Sequence, residues 1–126
     1  MASGVLLLGE DLAFLTELSR ELRSVSRTVI ISPGPHPVRR ALSEEVAKPE
    51  AAIVCLEGSE NVGDVRSLIG AHPRTTFLFL SKASPPKASM AHAIRSSGGQ
   101  ILGRNEEPLV IVATLIALMA PISDVG

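Results

Sequence analysis

The chain has 126 residues, 45% of them apolar and 20% charged, with a formal net charge of −1. This length favours a single domain spanning 1–126, and the apolar share supplies a core and excludes disorder. One cysteine, Cys55, excludes an internal disulfide or a cysteine-based zinc cluster; near-neutral charge without a basic run, and no Trp or Tyr, leave direct nucleic-acid binding without support.

Met1 to Gly4 carries no positively charged n-region, so a cytoplasmic protein is expected. Leu109 to Ala120 is the longest near-continuous apolar run and falls short of the about 20 residues that span a bilayer, so no membrane partner is expected.

In chain order, Val5-Leu6-Leu7-Leu8 reads as a buried strand ending at Gly9. Leu15, Leu18, Leu22 and Val25 then recur at helical spacing over Asp11 to Val25, with Asp11 as N-cap. Thr28 to Ile31 is a second strand, followed by a loop at Ser32-Pro33-Gly34-Pro35. Val38, Ala41, Leu42 and Val46 share one face of a second helix, with Arg39, Arg40, Glu44 and Glu45 on the remainder, and Lys48-Pro49-Glu50 breaks it. Ala52 to Leu56 is a third strand. Val62, Val65, Leu68 and Ile69 mark a helix ending before Pro73, and Phe77 to Leu80 is a fourth strand. Pro85 to Ser96 has a weak helical pattern closed by Gly98-Gly99. Gln100-Ile101-Leu102 is a short fifth strand, and Glu106 to Ala120 is a last helix closed by Pro121.

Strands written as uninterrupted apolar runs need cover on both faces, and their alternation with helices implies a parallel sheet. The expected architecture is α/β, a flavodoxin-like three-layer (βα)5 fold with a five-stranded parallel sheet in the order 2-1-3-4-5. Function in that architecture lies at the carboxyl ends of the strands. Here those are Gly9-Glu10-Asp11, Cys55 to Gly58, Ser81-Lys82 and Gly103-Arg104. No glycine-rich phosphate loop follows the first strand, which counts against a nucleotide or flavin.

In rhythm and register nearly the whole chain resembles the receiver domain of response regulators, the CheY-like superfamily. The resemblance implies two acids after the first strand, a phosphorylated Asp ending the third, a Ser or Thr after the fourth and a Lys-Pro after the fifth. Those parts hold Mg²⁺ and neutralise a transferring phosphoryl group. On this pattern Gly9 takes the first acid position and Glu10 the second, with Asp11 beyond. Gly63 lies at the family's glycine spacing and puts Cys55 at the phosphoacceptor. Ser81 keeps the hydroxyl, while Arg104 and Asn105 replace Lys and Pro.

Glu10, Asp11, Cys55, Ser81 and Arg104 therefore read as a degenerate phosphorylation site. A thiol forms no acyl phosphate and is a poor Mg²⁺ ligand. No catalytic residue, metal or cofactor is expected, and the chain is read as no enzyme. Arg104 is expected to pair with Glu10 or Asp11, with Asp11 capping the first helix and Glu10 taking the arginine. Cys55 reads as a buried strand residue, and Glu57-Gly58-Ser59-Glu60-Asn61 as a solvated loop. If the third strand slipped by two residues, Glu57 would sit near the pocket and could mimic the charge of a phosphorylated carboxylate.

The last helix has almost no polar face, and one side of a sheet covers only half of such a helix. Leu109, Val112, Leu115, Ile116, Leu118 and Met119 are therefore expected to form an interface, and receivers commonly dimerise through this region. The reading is an atypical receiver that signals by contact with a partner protein, as a homodimer through the last helix. A phosphotransfer-competent receiver with an unusual acceptor is the alternative. A further likeness, at His72-Pro73-Arg74-Thr75-Thr76 through Ser84-Pro85, is to the pseudo-receiver of amidase-operon antiterminators. Those proteins continue into RNA-binding helices beyond the point where this chain ends, so the RNA activity does not carry over. Atypical receivers also precede pilus-assembly ATPases, which leaves a regulatory fragment of either kind open.

Overall fold

A computed structural model describes residues 4–25, 28–43, 49–83 and 85–119. Strands and helices alternate in the order β1 (Val5–Gly9), α1 (Leu12–Leu22), β2 (Val29–Pro33), α2 (Pro37–Ser43), β3 (Ala51–Leu56), α3 (Val62–Ala71), β4 (Thr76–Ser81), α4 (Ala88–Ser96), β5 (Gln100–Gly103) and α5 (Pro108–Met119). All pairings are parallel, in the order β2-β1-β3-β4-β5. This is the flavodoxin-like arrangement anticipated from the strand runs.

The two-residue period of the strands splits the core into two halves. Leu6, Leu8, Ala52, Val54, Leu56, Phe77 and Phe79 face α2, α3 and α4, whose Val38, Ala41, Val65, Leu68 and Ile94 cover them. Val5, Leu7, Ile53, Cys55, Leu78 and Leu80 face the other way, onto Leu15, Leu18 and Leu22 of α1 and Ile111, Val112 and Leu115 of α5. β1 and β3 are buried throughout, as their unbroken apolar runs require.

Several boundaries differ from the sequence pattern. β2 continues through Pro33, which pairs with Gly9, where a loop was expected. An edge strand tolerates proline at its end because the ladder needs no donor there. α1 stops at Leu22, and Val25 leaves the helical stripe and is exposed. α4 starts at Ala88, since a residue preceding proline disfavours helix and Lys87, after Pro85-Pro86, is its N-cap with extended backbone. Gly98, with φ 97°, closes α4 in the left-handed conformation that glycine adopts without cost. α5 starts at Pro108, whose fixed φ suits a first helical position. Leu42 is exposed, while Val46 and the helix-ending Ala120 and Pro121 lie outside the described residues.

Candidate functional site

Four strand ends converge above the sheet, and their charges pair across the loops. Asp11 sits after β1 with extended backbone, and its Oδ1 accepts the Phe14 amide at 3.2 Å, capping α1. Its Oδ2 meets Arg104 Nη2 at 2.8 Å. The second guanidinium nitrogen, Nη1, lies 3.5 Å from Oε2 of Glu57, beyond the end of β3. Lys82, after β4, puts Nζ 3.7 Å from the other oxygen of Glu57. Two cations and two carboxylates thus tie together the ends of β1, β3, β4 and β5. The Arg104 guanidinium also lies 4.9 Å from the centre of the Phe14 ring, a cation–π contact from beneath. Its backbone N–H donates to Ser81 O at 2.9 Å, which pins the start of the last loop to β4.

Cys55 lies below this layer, buried on the α1–α5 side. Burial pushes its thiol up to about 12, against a smaller lowering by Arg104; Glu57, Asp11 and Glu60 add to the rise. The thiol is therefore neutral and inert at ordinary pH. Gly9 packs directly on it. A Cβ at Gly9 would lie 3.1 Å from both Cβ and Sγ of Cys55 and 3.3 Å from Leu15 Cδ2. A side chain there, acidic or not, requires these neighbours to shift.

The five site residues taken from the sequence do not all meet. Asp11 and Arg104 form one of the two pairings expected for the arginine, with Cys55 below them. Glu10 does not take the arginine: it is exposed and has no ion pair among the described residues. Asp11 performs both the capping and the pairing, because a helix cap points one carboxylate oxygen at the amides and leaves the other free. Ser81 is buried, and its hydroxyl donates to Ala83 O at 2.9 Å, within its own loop.

The segment read as a solvated loop is the largest correction. The Glu57 side chain is only 13% exposed and joins the ion-pair layer. No slip of β3 is needed, since Cys55 remains paired with Leu80. Glu60 turns back, its carboxylate accepting the amides of Glu57 at 2.7 Å and Gly58 at 2.9 Å. Asn61 caps α3 by accepting from Gly63 and Asp64, which puts Gly63 in the first turn of that helix. The sequence did carry a signal for Glu57: an acid next to a fully apolar strand, at the sheet end where Arg104 also emerges.

These donors do not fit Mg²⁺, which demands oxygen ligands in near-octahedral order. The position below the layer is a thiol, the first acid position is a glycine with no room beside it, and Asp11 and Glu57 are each bonded to Arg104.

On α5, Leu109 and Ile116 are exposed, while Leu118 and Met119 are half-buried against the core. Val112 and Leu115, expected at an interface, are buried in the chain's own core and offer no surface.

No protein-family model and no curated protein sequence matches this chain. Solved structures do. A response regulator from Thermotoga maritima superposes with a TM-score of 0.71 at 12% identity, over 94% of this chain and 98% of the other. An orphan response regulator of H. pylori gives 0.74 at 13% identity, over 92% and 95%. A response regulator from Burkholderia pseudomallei carrying a phosphorylated aspartic acid gives 0.61 at 20% identity, over 88% and 65%. At these identities the likeness establishes the fold, which is that of response-regulator receivers.

Proposed function

We propose that this receiver-fold chain transmits a signal by protein contact, without phosphorylation by the aspartyl route, and pairs with a second copy through the outer stripe of α5. The response-regulator likeness supports the signalling role. The observation that carries signalling without phosphorylation is Arg104 held between Asp11 and Glu57 above the buried Cys55 thiol. A phosphoryl acceptor needs a carboxylate that becomes an acyl phosphate, and a metal to offset the incoming charge. Here the acceptor position is a neutral thiol, and the guanidinium already supplies the positive charge. The loops that a phosphoryl group would draw together are joined without one.

The pairing reading rests on α5. Pro108–Met119 contains no charged residue. Leu109, Val110, Ala113, Ile116 and Ala117 are all exposed, spaced so that they form one stripe. The single hydroxyl, Thr114 Oγ1, donates to Val110 O at 2.8 Å and does not interrupt it. A lone exposed leucine is ordinary, whereas a continuous apolar stripe marks a contact surface.

Light scattering after size exclusion, with and without acetyl phosphate and Mg²⁺, tests the proposal. A dimer whose mass is indifferent to the phosphodonor is expected. A monomer, or a mass that responds to the donor, contradicts it.

A further inference from the structure

The charges of this chain are unevenly placed. From Val65 to Asn105 the sequence contains no Asp or Glu, yet Arg66, Arg74, Lys82, Lys87, Arg95 and Arg104 all fall there. Arg104 and Lys82 are taken by Asp11 and Glu57. The other four are exposed: Arg66 on α3, Arg74 just past it, Lys87 at the N-cap of α4 and Arg95 in its last turn. None of these four has a carboxylate within ion-pair distance among the described residues.

α3 and α4 pack side by side on the same face of the sheet, so the four cations share one outer surface, with exposed His92 among them. Asp64 is the only acid on either helix, and it lies 3.8 Å from Arg39 on the α2 flank. The exposed acids lie off this surface, with Glu10, Asp11 and Glu17 before and along α1, Glu106 and Glu107 ahead of α5, and Glu50 ahead of β3 at the Arg74 end, where its carbonyl accepts the Thr76 amide at 3.0 Å. A net charge of −1 thus conceals a positive face. Like charges gathered without counter-charge repel one another, and the side chains of these four make no hydrogen bond among the described residues.

A negatively charged partner relieves that repulsion, and the surface between the cations indicates which kind. Ser67, Gly70 and Ala71 on α3, with Ser89 and Ser96 on α4, are small and exposed, so another backbone can approach closely. None of the three phenylalanines is exposed to stack a base, since Phe77 and Phe79 are buried and Phe14 is half-buried under Arg104, which leaves His92 as the exposed ring between the cations.

We propose that the outer surface of α3 and α4 is a second docking face, for an Asp/Glu-rich segment of a partner protein. It lies on the opposite side of the sheet from α5 and depends on neither the pairing nor the missing phosphorylation.

The test is an NMR titration of the isotope-labelled chain with a short poly-L-glutamate peptide at low salt. Amide shifts centred on Arg66, Gly70, Ser89 and Arg95 are expected, with affinity falling steeply by about 0.2 M NaCl. Combining Arg66→Glu with Arg95→Glu, both fully surface changes, lowers affinity by about tenfold or more. Combining Arg20→Glu with Arg23→Glu on α1 leaves it unchanged. Shifts centred on another face, no saturable shift, or equal loss in the α1 control overturns the proposal. So does tighter binding of a short mixed-sequence DNA duplex to the same amides, which assigns the face to nucleic acid.

Discussion

Arg104 reaches from the end of β5 to the N-cap of α1, where its Nη2 meets Asp11 Oδ2 at 2.8 Å while Asp11 Oδ1 holds the Phe14 amide at 3.2 Å. One carboxylate therefore fixes the start of a helix and neutralises an arginine from the other end of the chain. The two roles separate by substitution. Asp11→Asn keeps a good cap and loses the ion pair, which is partly exposed, so the cost is below about 1 kcal/mol. Asp11→Ala loses both and costs about 1 kcal/mol more. Urea unfolding of the two variants gives this order; equal stabilities would mean that the cap contributes nothing.

Removing the arginine is more damaging than removing Asp11's charge. Glu57 is only 13% exposed, and Arg104→Ala leaves it with the more distant Lys82 alone. A carboxylate stranded in that setting costs about 1–3 kcal/mol. Arg104→Lys recovers part of this, since it restores the charge but not the two-pronged geometry. Denaturant midpoints for the three proteins test the ranking.

Cys55 makes stability fall in alkali. Its thiol is raised from 9.0 to about 12 on folding. Below pH 9 both states keep the proton and nothing changes. Above it the unfolded chain ionises while the folded one does not, so stability drops as pH rises towards 12, by at most about 1.4 kcal/mol per pH unit. Cys55→Ala lacks this component, and the difference between the two pH profiles isolates it. Iodoacetamide at pH 8 leaves the folded thiol unmodified and alkylates it once urea unfolds the chain.

On α5 the surface and core positions give opposite signatures. Leu109 is 64% and Ile116 41% exposed, so changing both to Glu yields a folded monomer with little loss of stability. Leu115 is fully buried, and Leu115→Ala costs about 2–5 kcal/mol. Solution mass and unfolding midpoint, measured on both proteins, separate the roles.

The layers were legible because β1 and β3 are unbroken apolar runs that only a sheet covered on both faces accommodates. Asp11 was legible for its position directly before a helical stripe. α5 was not, because a helix with no polar face carries no phase: Val112 and Leu115 look like Leu109 until the sheet selects a side. Glu57 was hidden for a different reason. A charged residue after a strand normally turns to water, and Arg104 and Lys82, both distant in sequence, hold it in. The four cations along α3 and α4 that have no ion pair among the described residues were masked by a net charge near zero, which sums over faces that the fold keeps apart.

The most direct test of the central claim is intact mass after incubation with acetyl phosphate and Mg²⁺. The site described here predicts an unmodified mass, with Cys55 still neutral and Arg104 still bound to Asp11 and Glu57. A phosphoryl adduct, stable enough to map to Glu57 or to any residue of the β1, β3 or β5 loops, would contradict it and make this chain a phosphotransfer receiver.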